Sequence, residues 1–377
     1  MGVEVGCKAL QVTGLPPSPR EAHLLLALDA RRLLVLGGGA VSPAFGPQQF
    51  NDTFVLDLEE VKWSYMATKG DQPSPRTGAS AVALDGQRVL LFGGSSMLEG
   101  YMNDVYVLDT KDWVWSKITV RGLPPSPRDK HTACLLGSKM YVFGGFGPSL
   151  TSNNEDQDGN ALSDTDAMSP SDEESAEEED DDGASISFTW FDDLHVLDVT
   201  SMEWQSVETK GTKPSPRAAH AAFIIKALNP GLKHSDKMIV FGGRDSVGRQ
   251  KDLFTLNLQT LDWIKEGANC PPARSFHSMV PFGESQQLAV CYGGVGIHGE
   301  MFPGLELLNV ESMDWTSVKS SNGAWPPLRG ASAIVARHNK EACEIIIFGG
   351  SCSMEDRETV YYNDCYAIDV SSFVKLA

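Results

Sequence analysis

The sequence lacks the features that mark membrane, secreted, metal-binding and nucleic-acid-binding proteins. No apolar run approaches the roughly 20 residues of a membrane span, and the first residues lack the basic and apolar regions of a signal peptide. The seven cysteines are odd in number and scattered, with no CxxC or metal-ligand spacing. Acidic residues outnumber basic ones by 50 to 31, and no basic patch is present for nucleic acid. We therefore expect a monomer of the cytoplasm, the nucleus or both, which contacts neither membrane nor nucleic acid.

The motifs of common enzyme classes are also missing. The chain has no GxSxG, HExxH or P-loop sequence. Residues Gly294 to Gly299 match the dinucleotide fingerprint GxGxxG, but Pro303 and Gly304 follow where the motif requires a helix. The sequence thus predicts no catalytic residue, no bound metal and no cofactor, and we expect the protein not to be an enzyme.

What the sequence does contain is a sixfold repeat. Each repeat has a short apolar run that ends in a pair of glycines, at Gly37-Gly38, Gly93-Gly94, Gly144-Gly145, Gly242-Gly243, Gly293-Gly294 and Gly349-Gly350. The runs are apolar at consecutive positions, which is typical of strands buried on both faces. The glycines fit strand ends where two backbones approach closely or φ is positive.

A second strand-like run follows each glycine pair, and an acid or amide that begins a turn closes it. These turn residues are Asp57, Asp109, Asp198, Asn257, Asn309 and Asp369. Five of them are followed, always six residues later, by a tryptophan, at Trp63, Trp115, Trp204, Trp263 and Trp315. A repeat of this size indicates one small β-unit per repeat, and the tryptophan is expected to pack against the next unit.

Each repeat also opens with a turn that ends in arginine. The six are Arg20, Arg76, Arg128, Arg217, Arg274 and Arg329, and consecutive members are 56, 52, 89, 57 and 55 residues apart. The glycine pairs, the spaced tryptophans and the period resemble the kelch repeat over essentially the whole chain. The resemblance implies an all-β, six-bladed kelch β-propeller with four antiparallel strands per blade, which would be a single domain over residues 1–377.

The sixth repeat has no tryptophan at the expected spacing. Six residues after Asp369 stands Lys375, two residues from the last residue of the sequence. Counting back from Arg20 by the thirteen residues that separate three other arginines from their tryptophans leads to Cys7. The segment from Lys8 to Thr13 is therefore predicted to be the outer strand of the last blade. Pairing of this N-terminal strand with the C-terminal blade would close the ring and remove a free sheet edge.

The third repeat is longer than the others because it carries an acidic insertion over residues 151–183. The insertion has fourteen acidic residues and no basic one, and its removal would change the net charge from −19 to −5. Such a composition predicts disorder. Two interpretations stay open: a solvated insertion without a partner, or an electrostatic contact for a basic partner or a tethered pseudo-ligand. Four serines with an acid three residues later are candidate phosphorylation sites, namely Ser163, Ser169, Ser171 and Ser175.

The resemblance also implies a function, since kelch propellers typically bind ligands on the face formed by the strand-two to strand-three loops and the arginine turns. We expect a protein-interaction module or adaptor that binds a peptide or protein partner on this face. The alternative is a kelch-type enzyme or small-molecule binder with a site at the central channel. The six arginines recur and are therefore predicted to be architectural, as are the histidines that follow four of them, His23, His131, His220 and His277.

Residues that differ between the repeats are better binding candidates, because a partner is not sixfold symmetric. Arginine and aromatic side chains on exposed loops are the usual hot-spot types. Arg244 and Arg249 lie in one short loop without a sequence counterpart, and we expect them to contact an acidic or carboxylate-bearing ligand. The other candidates come from the remaining variable loops and are Tyr101, Tyr361, Phe45 and Phe302.

Overall fold

Almost every regular element of the protein is a β-strand. The computed structural model describes residues 4–150, 186–227, 235–267, 269–283, 286–338, 342–353 and 358–374. In these residues the helical content is the single turn Ser371–Val374. Six sheets share one strand order and form the blades of a β-propeller. This confirms the predicted fold class.

Each blade has four antiparallel strands, which are numbered here from the axis outwards, and the inner strands of neighbouring blades contact one another. Blade one consists of Leu24–Ala27, Arg32–Leu36, Thr53–Asp57 and Lys62–Tyr65, and blade two of Ser80–Asp85, Arg88–Ser96, Gly100–Asp109 and Val114–Lys117. Blade three consists of Thr132–Leu136, Lys139–Phe143, Leu194–Asp198 and Glu203–Val207, and blade four of Ala221–Ile225, Lys237–Phe241, Leu253–Asn257 and Asp262–Lys265. Blade five consists of Ser278–Phe282, Leu288–Tyr292, Leu305–Asn309 and Trp315–Ser317, and blade six of Ala333–His338, Cys343–Phe348, Cys365–Asp369 and Glu4–Ala9.

Two kinds of short strand are added to the blades. Two-residue strands of the crossover segments run parallel to the outer strands of blades one, two, three, four and six, at Thr13–Gly14, Lys69–Gly70, Arg121–Gly122, Lys210–Gly211 and Lys319–Ser320. Small hairpins extend the strand-two to strand-three loops of blades one, three and six, at Gly39–Ser42 with Gly46–Gln49, Phe146–Leu150 with Ile186–Trp190, and Ser351–Cys352 with Val360–Tyr361.

The N-terminal strand closes the ring, as predicted. Cys7 lies opposite Ile368 of blade six, in the register that Trp63 has opposite Leu56 in blade one. The predicted bounds of this strand are wrong, however, because it spans Glu4–Ala9 and not the segment from Lys8 to Thr13. Chain before Cys7 is needed for pairing, since Gly6 lies opposite Asp369 and Glu4 and Val5 pair with a crossover strand.

One phenylalanine at the end of strand two joins each of four blades to the blade that follows it. Phe348 of blade six contacts the rings of Trp63 and His23 of blade one, with centroids 5.1 and 5.2 Å apart. The same arrangement recurs for Phe92 with Trp204 and His131, Phe143 with Trp263 and His220, and Phe241 with Trp315 and His277. The tryptophans therefore pack on the preceding blade, not on the next one as expected from the sequence.

A closed ring of backbone hydrogen bonds surrounds the axis. The second residue after each repeat arginine has positive φ, between 47° and 62°, and its N–H donates to the carbonyl of the equivalent residue in the preceding blade. The six residues are Ala22, Gly78, Lys130, Ala219, Phe276 and Ala331, and the donor–acceptor distances are 2.8 to 3.3 Å. Lys130 and Phe276 are the bulky members, and the Lys130 ammonium lies 6.0 Å from the Phe276 ring centroid.

Candidate functional site

The six repeat arginines lie directly beneath the loop face and are almost completely buried. The Nη1 atom of Arg20 donates to the carbonyl of Gly37, the first glycine of the pair, at 2.9 Å. Its guanidinium also binds both carboxylate oxygens of Asp52, the residue before strand three, at 2.6 and 2.8 Å. Four other blades repeat this link between the arginine turn, the glycine pair and strand three, with the pairs Arg76–Asp104, Arg128–Asp193, Arg217–Asp252 and Arg329–Asp364.

Blade five departs from this pattern. Arg274 is 2% exposed and donates to the carbonyls of Pro272 and Gly293, both at 3.2 Å. Gly304 stands where the other blades have aspartate, and Glu306 follows two residues later on the same face of the strand. The Phe302 ring stacks on the Arg274 guanidinium with 3.9 Å between the guanidinium carbon and the ring centroid. Phe302, a predicted binding residue, thus occupies the place from which Phe50, Phe191 and Tyr362 stack on their own arginines.

The chain forms the same backbone contact above every glycine pair. The first residue after the pair lies opposite the residue three positions before the aspartate, or before Gly304 in blade five. We call these six pairs the mouth of the propeller. They are Gly39 with Gln49, Ser95 with Tyr101, Phe146 with Trp190, Arg244 with Arg249, Val295 with Met301, and Ser351 with Tyr361.

The mouth brings together four of the six predicted binding residues. Arg249, Tyr101 and Tyr361 occupy the same position in three different blades, and Arg244 lies beside Arg249 in blade four. The backbone position of each arginine therefore does recur, and only the side chain is particular to blade four. Phe45 does not join them, because it lies at the tip of the blade-one hairpin with 78% of its surface exposed.

The arginine pair lies next to the inner ring. The backbone of Arg244 pairs with Ala218, which precedes the ring residue Ala219. The Nε atom of Arg249 donates to the Ser275 hydroxyl of blade five at 3.0 Å. Lys130, whose carbonyl accepts the N–H of Ala219, adds a third cation on the blade-three side. The ammonium of Lys130 lies 3.6 Å from the carboxylate of Asp129, so this cation is paired with an acid of the same blade.

Aromatic side chains line the mouth beside the arginines. Tyr101 of blade two contacts Phe146 and Phe188 of blade three, with ring centroids 6.1 and 5.6 Å apart. Trp190 packs on Phe146 at 4.9 Å. Sequence reasoning missed Trp190 because the acidic insertion separates it from the glycine pair. Counting three residues back from Asp193 would have found it.

Tyr361 is half-buried at the opposite side of the mouth, between blades six and one. Burial, and then the nearby Glu21 carboxylate, raise the pKa of its phenol to about 12, so the side chain stays protonated at neutral pH. Glu21 also accepts a hydrogen bond from the Ser351 hydroxyl. Around the mouth, cations therefore lie in blades three and four, and acids lie in blades one, three and four, the last being Asp245.

The described residues offer little for metal or thiol chemistry. Among them, no group of three or more His, Cys, Asp or Glu side chains is placed to hold a metal ion. Burial raises the pKa of the Cys134 and Cys291 thiols to about 12, which keeps both protonated. Within the same part of the chain, no helix is long and apolar enough to cross a membrane.

Several predicted features lie outside the described residues. The acidic insertion of residues 151–183 is one of them, together with the four candidate phosphorylation sites Ser163, Ser169, Ser171 and Ser175. Their sequence-based interpretation stays a prediction.

Comparison with known proteins decides the family. A family model for the KLHDC2/KLHL20/DRC7 Kelch-repeats domain matches residues 31–172 and 180–374. The chain belongs to the kelch-repeat family. The kelch propeller is 28% identical to Kelch domain-containing protein 2 from Bos taurus over 349 residues, which are 89% of this chain and 76% of that protein.

Two larger proteins contain a similar region. Host cell factor 2 from Homo sapiens is 29% identical to the kelch propeller over 330 residues, which are 81% of this chain and 36% of that protein. The dynein alpha chain of the flagellar outer arm of Chlamydomonas reinhardtii is 29% identical over 348 residues, which are 89% of this chain and 7% of that protein. The chain spans less than two thirds of either protein.

Proposed function

We propose that the propeller is a protein-interaction module that binds a carboxylate-bearing segment of a protein or peptide partner at its mouth. The observation that carries this proposal is the placement of Arg244 directly opposite Arg249 at the inner rim of the loop face. The corresponding pairs in the other five blades contain no basic residue. The arrangement is therefore particular to one sector of the ring, as a binding site for an asymmetric partner must be.

The chemistry of the arginine pair suits a carboxylate. A guanidinium presents a planar fork of donors that matches two carboxylate oxygens, and such charge-assisted bonds are stronger than neutral ones. The bond from the Arg249 Nε atom to the Ser275 hydroxyl holds this guanidinium beside blade five. Lys130 adds positive charge on the neighbouring blade.

The aromatic side chains of the mouth supply the apolar part of the contact. Trp190 lies on blade three, next to the blade of the arginine pair, Tyr101 lies on blade two, and Tyr361 lies on blade six. Aromatic residues at the edge of a charged pocket bury large areas at a small cost in side-chain entropy. We expect the partner to place its carboxylate on the arginines and apolar side chains on these rings, in the cytoplasm, the nucleus or both.

A peptide library tests the proposal. The purified chain is titrated with pooled decapeptides, randomised at six positions, in three forms: with a free C-terminal carboxylate, amidated, and amidated with two internal glutamates. The best binders of each pool are then measured by fluorescence anisotropy. We expect binding by a carboxylate-bearing form and loss of roughly 2 kcal/mol or more when Arg244 and Arg249 are changed to alanine.

The three forms also distinguish the source of the carboxylate, because a terminal carboxylate is absent from both amidated pools. Lys213→Ala is a matched control, since Lys213 lies in the crossover to blade four and is not one of the mouth residues, although it also forms an ion pair, with Asp192. Equal binding of amidated, glutamate-free peptides, or unchanged affinity in the double arginine variant, would contradict the proposal.

A further inference from the structure

The loop that carries the two binding arginines is held by backbone pairing at its base and by one buried carboxylate, that of Asp245. Its Oδ1 atom accepts the backbone N–H groups of Val247 and Gly248 at 2.9 and 3.1 Å, and the side-chain amide of Gln250 at 2.9 Å. Its Oδ2 atom accepts the Ser215 hydroxyl at 2.6 Å. Asp245 is 6% exposed, although the tip residue Val247 is 90% exposed. One side chain thus ties together both sides of an otherwise exposed loop.

These bonds act together with the backbone bridge between Arg244 and Arg249, which brings the two arginines opposite each other. The turn closed by the Asp245 carboxylate also has a bond from the N–H of Asp245 to the carbonyl of Gly248, at 3.0 Å. Arg249 follows immediately and returns opposite Arg244. Without the carboxylate, the N–H groups of Val247 and Gly248 would lose their acceptor, and the Gln250 amide would keep only its bond to the Gly248 carbonyl. The tip of the turn would then have little burial to hold it.

The carboxylate also connects the loop to the scaffold. The Nη2 atom of the buried Arg217 donates to the Ser215 hydroxyl at 2.8 Å, and Ser215 in turn donates to Asp245. Arg217 itself is fixed by Asp252 and by the carbonyl of Gly242. The equivalent position in the other blades carries no acid, since the residues there are Ala40, Ser96, Gly147, Gly296 and Cys352.

Electrostatics alone would disfavour an acid at this place, because a negative charge on the loop of two arginines weakens their attraction for an anion. We propose that Asp245 is a positioning residue of the carboxylate site, which holds Arg249 beside Arg244 and against Ser275 by anchoring their loop to the Arg217–Ser215 pair. This inference rests on the proposed function. Bidentate recognition needs fixed geometry, so the gain in positioning must exceed the electrostatic loss.

Two substitutions separate positioning from charge. Asp245→Ala removes both, whereas Asp245→Asn removes the charge and keeps an oxygen acceptor for the turn. With the best carboxylate decapeptide as the probe, we expect Asp245→Ala to weaken binding at least about tenfold and Asp245→Asn to stay within about threefold of the unchanged chain. Asp85→Ala is the control, since Asp85 accepts two backbone N–H groups in a turn between strands one and two, away from the mouth.

A double-variant cycle tests whether Asp245 acts through Arg249. In the Arg249→Ala background, Asp245→Ala should have little further effect, because the side chain that it positions is gone. If Asp245→Ala binds the probe as tightly as the unchanged chain or more tightly, charge dominates and the inference is overturned. Full additivity of the two changes would overturn it as well.

A ligand-free measurement distinguishes failure of the inference from failure of the proposed function. Amide hydrogen exchange of residues 244–250 should be slow in the unchanged chain and in Asp245→Asn, and faster in Asp245→Ala, with residues 88–96 unaffected. If exchange behaves in this way but no decapeptide binds, the positioning role stands and the proposed function fails. Unchanged exchange in Asp245→Ala overturns the positioning role.

Discussion

The backbone N–H of Ala22 donates to the carbonyl oxygen of Ala331 at 3.0 Å and so joins the first blade to the sixth at the axis. Both residues have positive φ, 50° and 47°, which costs a residue with a side chain about 1–2 kcal/mol. Six such hydrogen bonds, at 2.8 to 3.3 Å, close the ring, and five of the donor residues carry a side chain. At the outer edge, the N-terminal strand joins the same two ends of the chain a second time.

This outer closure predicts the effect of an N-terminal truncation. Removal of residues 1–9 would expose the edge of the strand Cys365–Asp369 and uncover the core that Val5 and Cys7 now fill. We expect the free energy of unfolding to fall by about 3 kcal/mol or more, measured by urea denaturation. Lys8→Ala is the control, because Lys8 is exposed and its ion pair with Glu344 should contribute little. An unchanged midpoint after truncation would show that the axial ring alone closes the propeller.

The repeat arginines predict unequal costs of substitution in different blades. Arg76→Met would leave the Asp104 carboxylate and the Gly93 carbonyl without their donors, and breaking a buried ion pair in this way costs about 3 kcal/mol or more. Arg274→Met leaves no carboxylate behind, because Gly304 replaces the aspartate in blade five. We expect Arg76→Met to be the more destabilising change in thermal and chemical denaturation. Equal losses would mean that the ion pair contributes nothing beyond the packing of the side chain.

The buried histidines predict a loss of stability in acid. Burial, and then the neighbouring repeat arginine, lower the pKa of His23, His131, His220 and His277 to about 3. Between pH 6.5 and about 3 these histidines are therefore protonated in the unfolded chain but neutral in the folded chain. The free energy of unfolding falls as the pH falls through this range. Each such histidine contributes a slope of about 1.4 kcal/mol per pH unit.

His277→Phe checks this slope. Among the described residues, no group meets ordinary hydrogen-bond geometry with a ring nitrogen of His277, and its ring packs edge-on against Phe241. A phenyl ring should therefore keep the packing and remove one titrating group. Urea denaturation at pH 7 and pH 5 should give a smaller difference for the variant than for the unchanged chain. An identical pH dependence would place the lost stability in the carboxylates alone.

The fold was predictable from the sequence because it depends on spacing that repeats. The offset from Asp57 to Trp63 is fixed by a turn in which the aspartate accepts the N–H groups of Glu59 and Glu60 and Val61 takes positive φ. The thirteen-residue spacing from tryptophan to the next arginine, counted back from Arg20, identified Cys7 as the position that corresponds to the missing tryptophan. The mouth was only partly predictable, since the loops above the glycine pairs differ in length. Their equivalence rests on backbone pairing, which side-chain identity does not reveal.

Blade five shows a second limit of sequence reasoning. Phe302 was predicted to bind a partner because its loop differs from the others, yet its ring covers Arg274. Phe302 is equivalent to Phe50 and Phe191, but the loops that precede these residues differ in length. The sequence alone therefore did not reveal the equivalence. The argument that Phe302 is particular to its loop therefore does not hold, and its contact with a partner stays a prediction.

Substitution of a crossover glycine by alanine is predicted to lower the stability of the protein strongly. Gly70 has a φ of 82°, and a Cβ atom there would lie 2.2 Å from the carbonyl oxygen of Trp115. Gly70→Ala should therefore destabilise the protein by at least about 2 kcal/mol, from backbone strain and from loss of the parallel pairing with Trp115. Gly86→Ala is the matched control, because a Cβ at Gly86 meets nothing within 4 Å. Similar melting temperatures for the two variants would contradict this account.

The last prediction concerns the acidic insertion. Leu150 and Ile186 lie opposite each other in the blade-three hairpin, so a short linker can join the chain across residues 151–183. A segment of this composition is expected to bury little surface, and loop length costs only about 0.6 kcal/mol per doubling. Replacement by a Gly-Ser linker should therefore leave the melting temperature nearly unchanged, while the net charge moves from −19 to −5. Strong protection of residues 151–183 in amide exchange would contradict this expectation.

The same shortened chain separates the two interpretations of the charge. If the insertion contacts a basic partner, a decalysine probe should bind the unchanged chain and lose most of its affinity after the replacement, with a steep dependence on salt. A solvated insertion without a partner predicts weak binding by both chains. If the insertion instead competes for the mouth, the shortened chain should bind the carboxylate decapeptide more tightly. Equal affinity for both probes before and after the replacement would leave the charge with no role in binding.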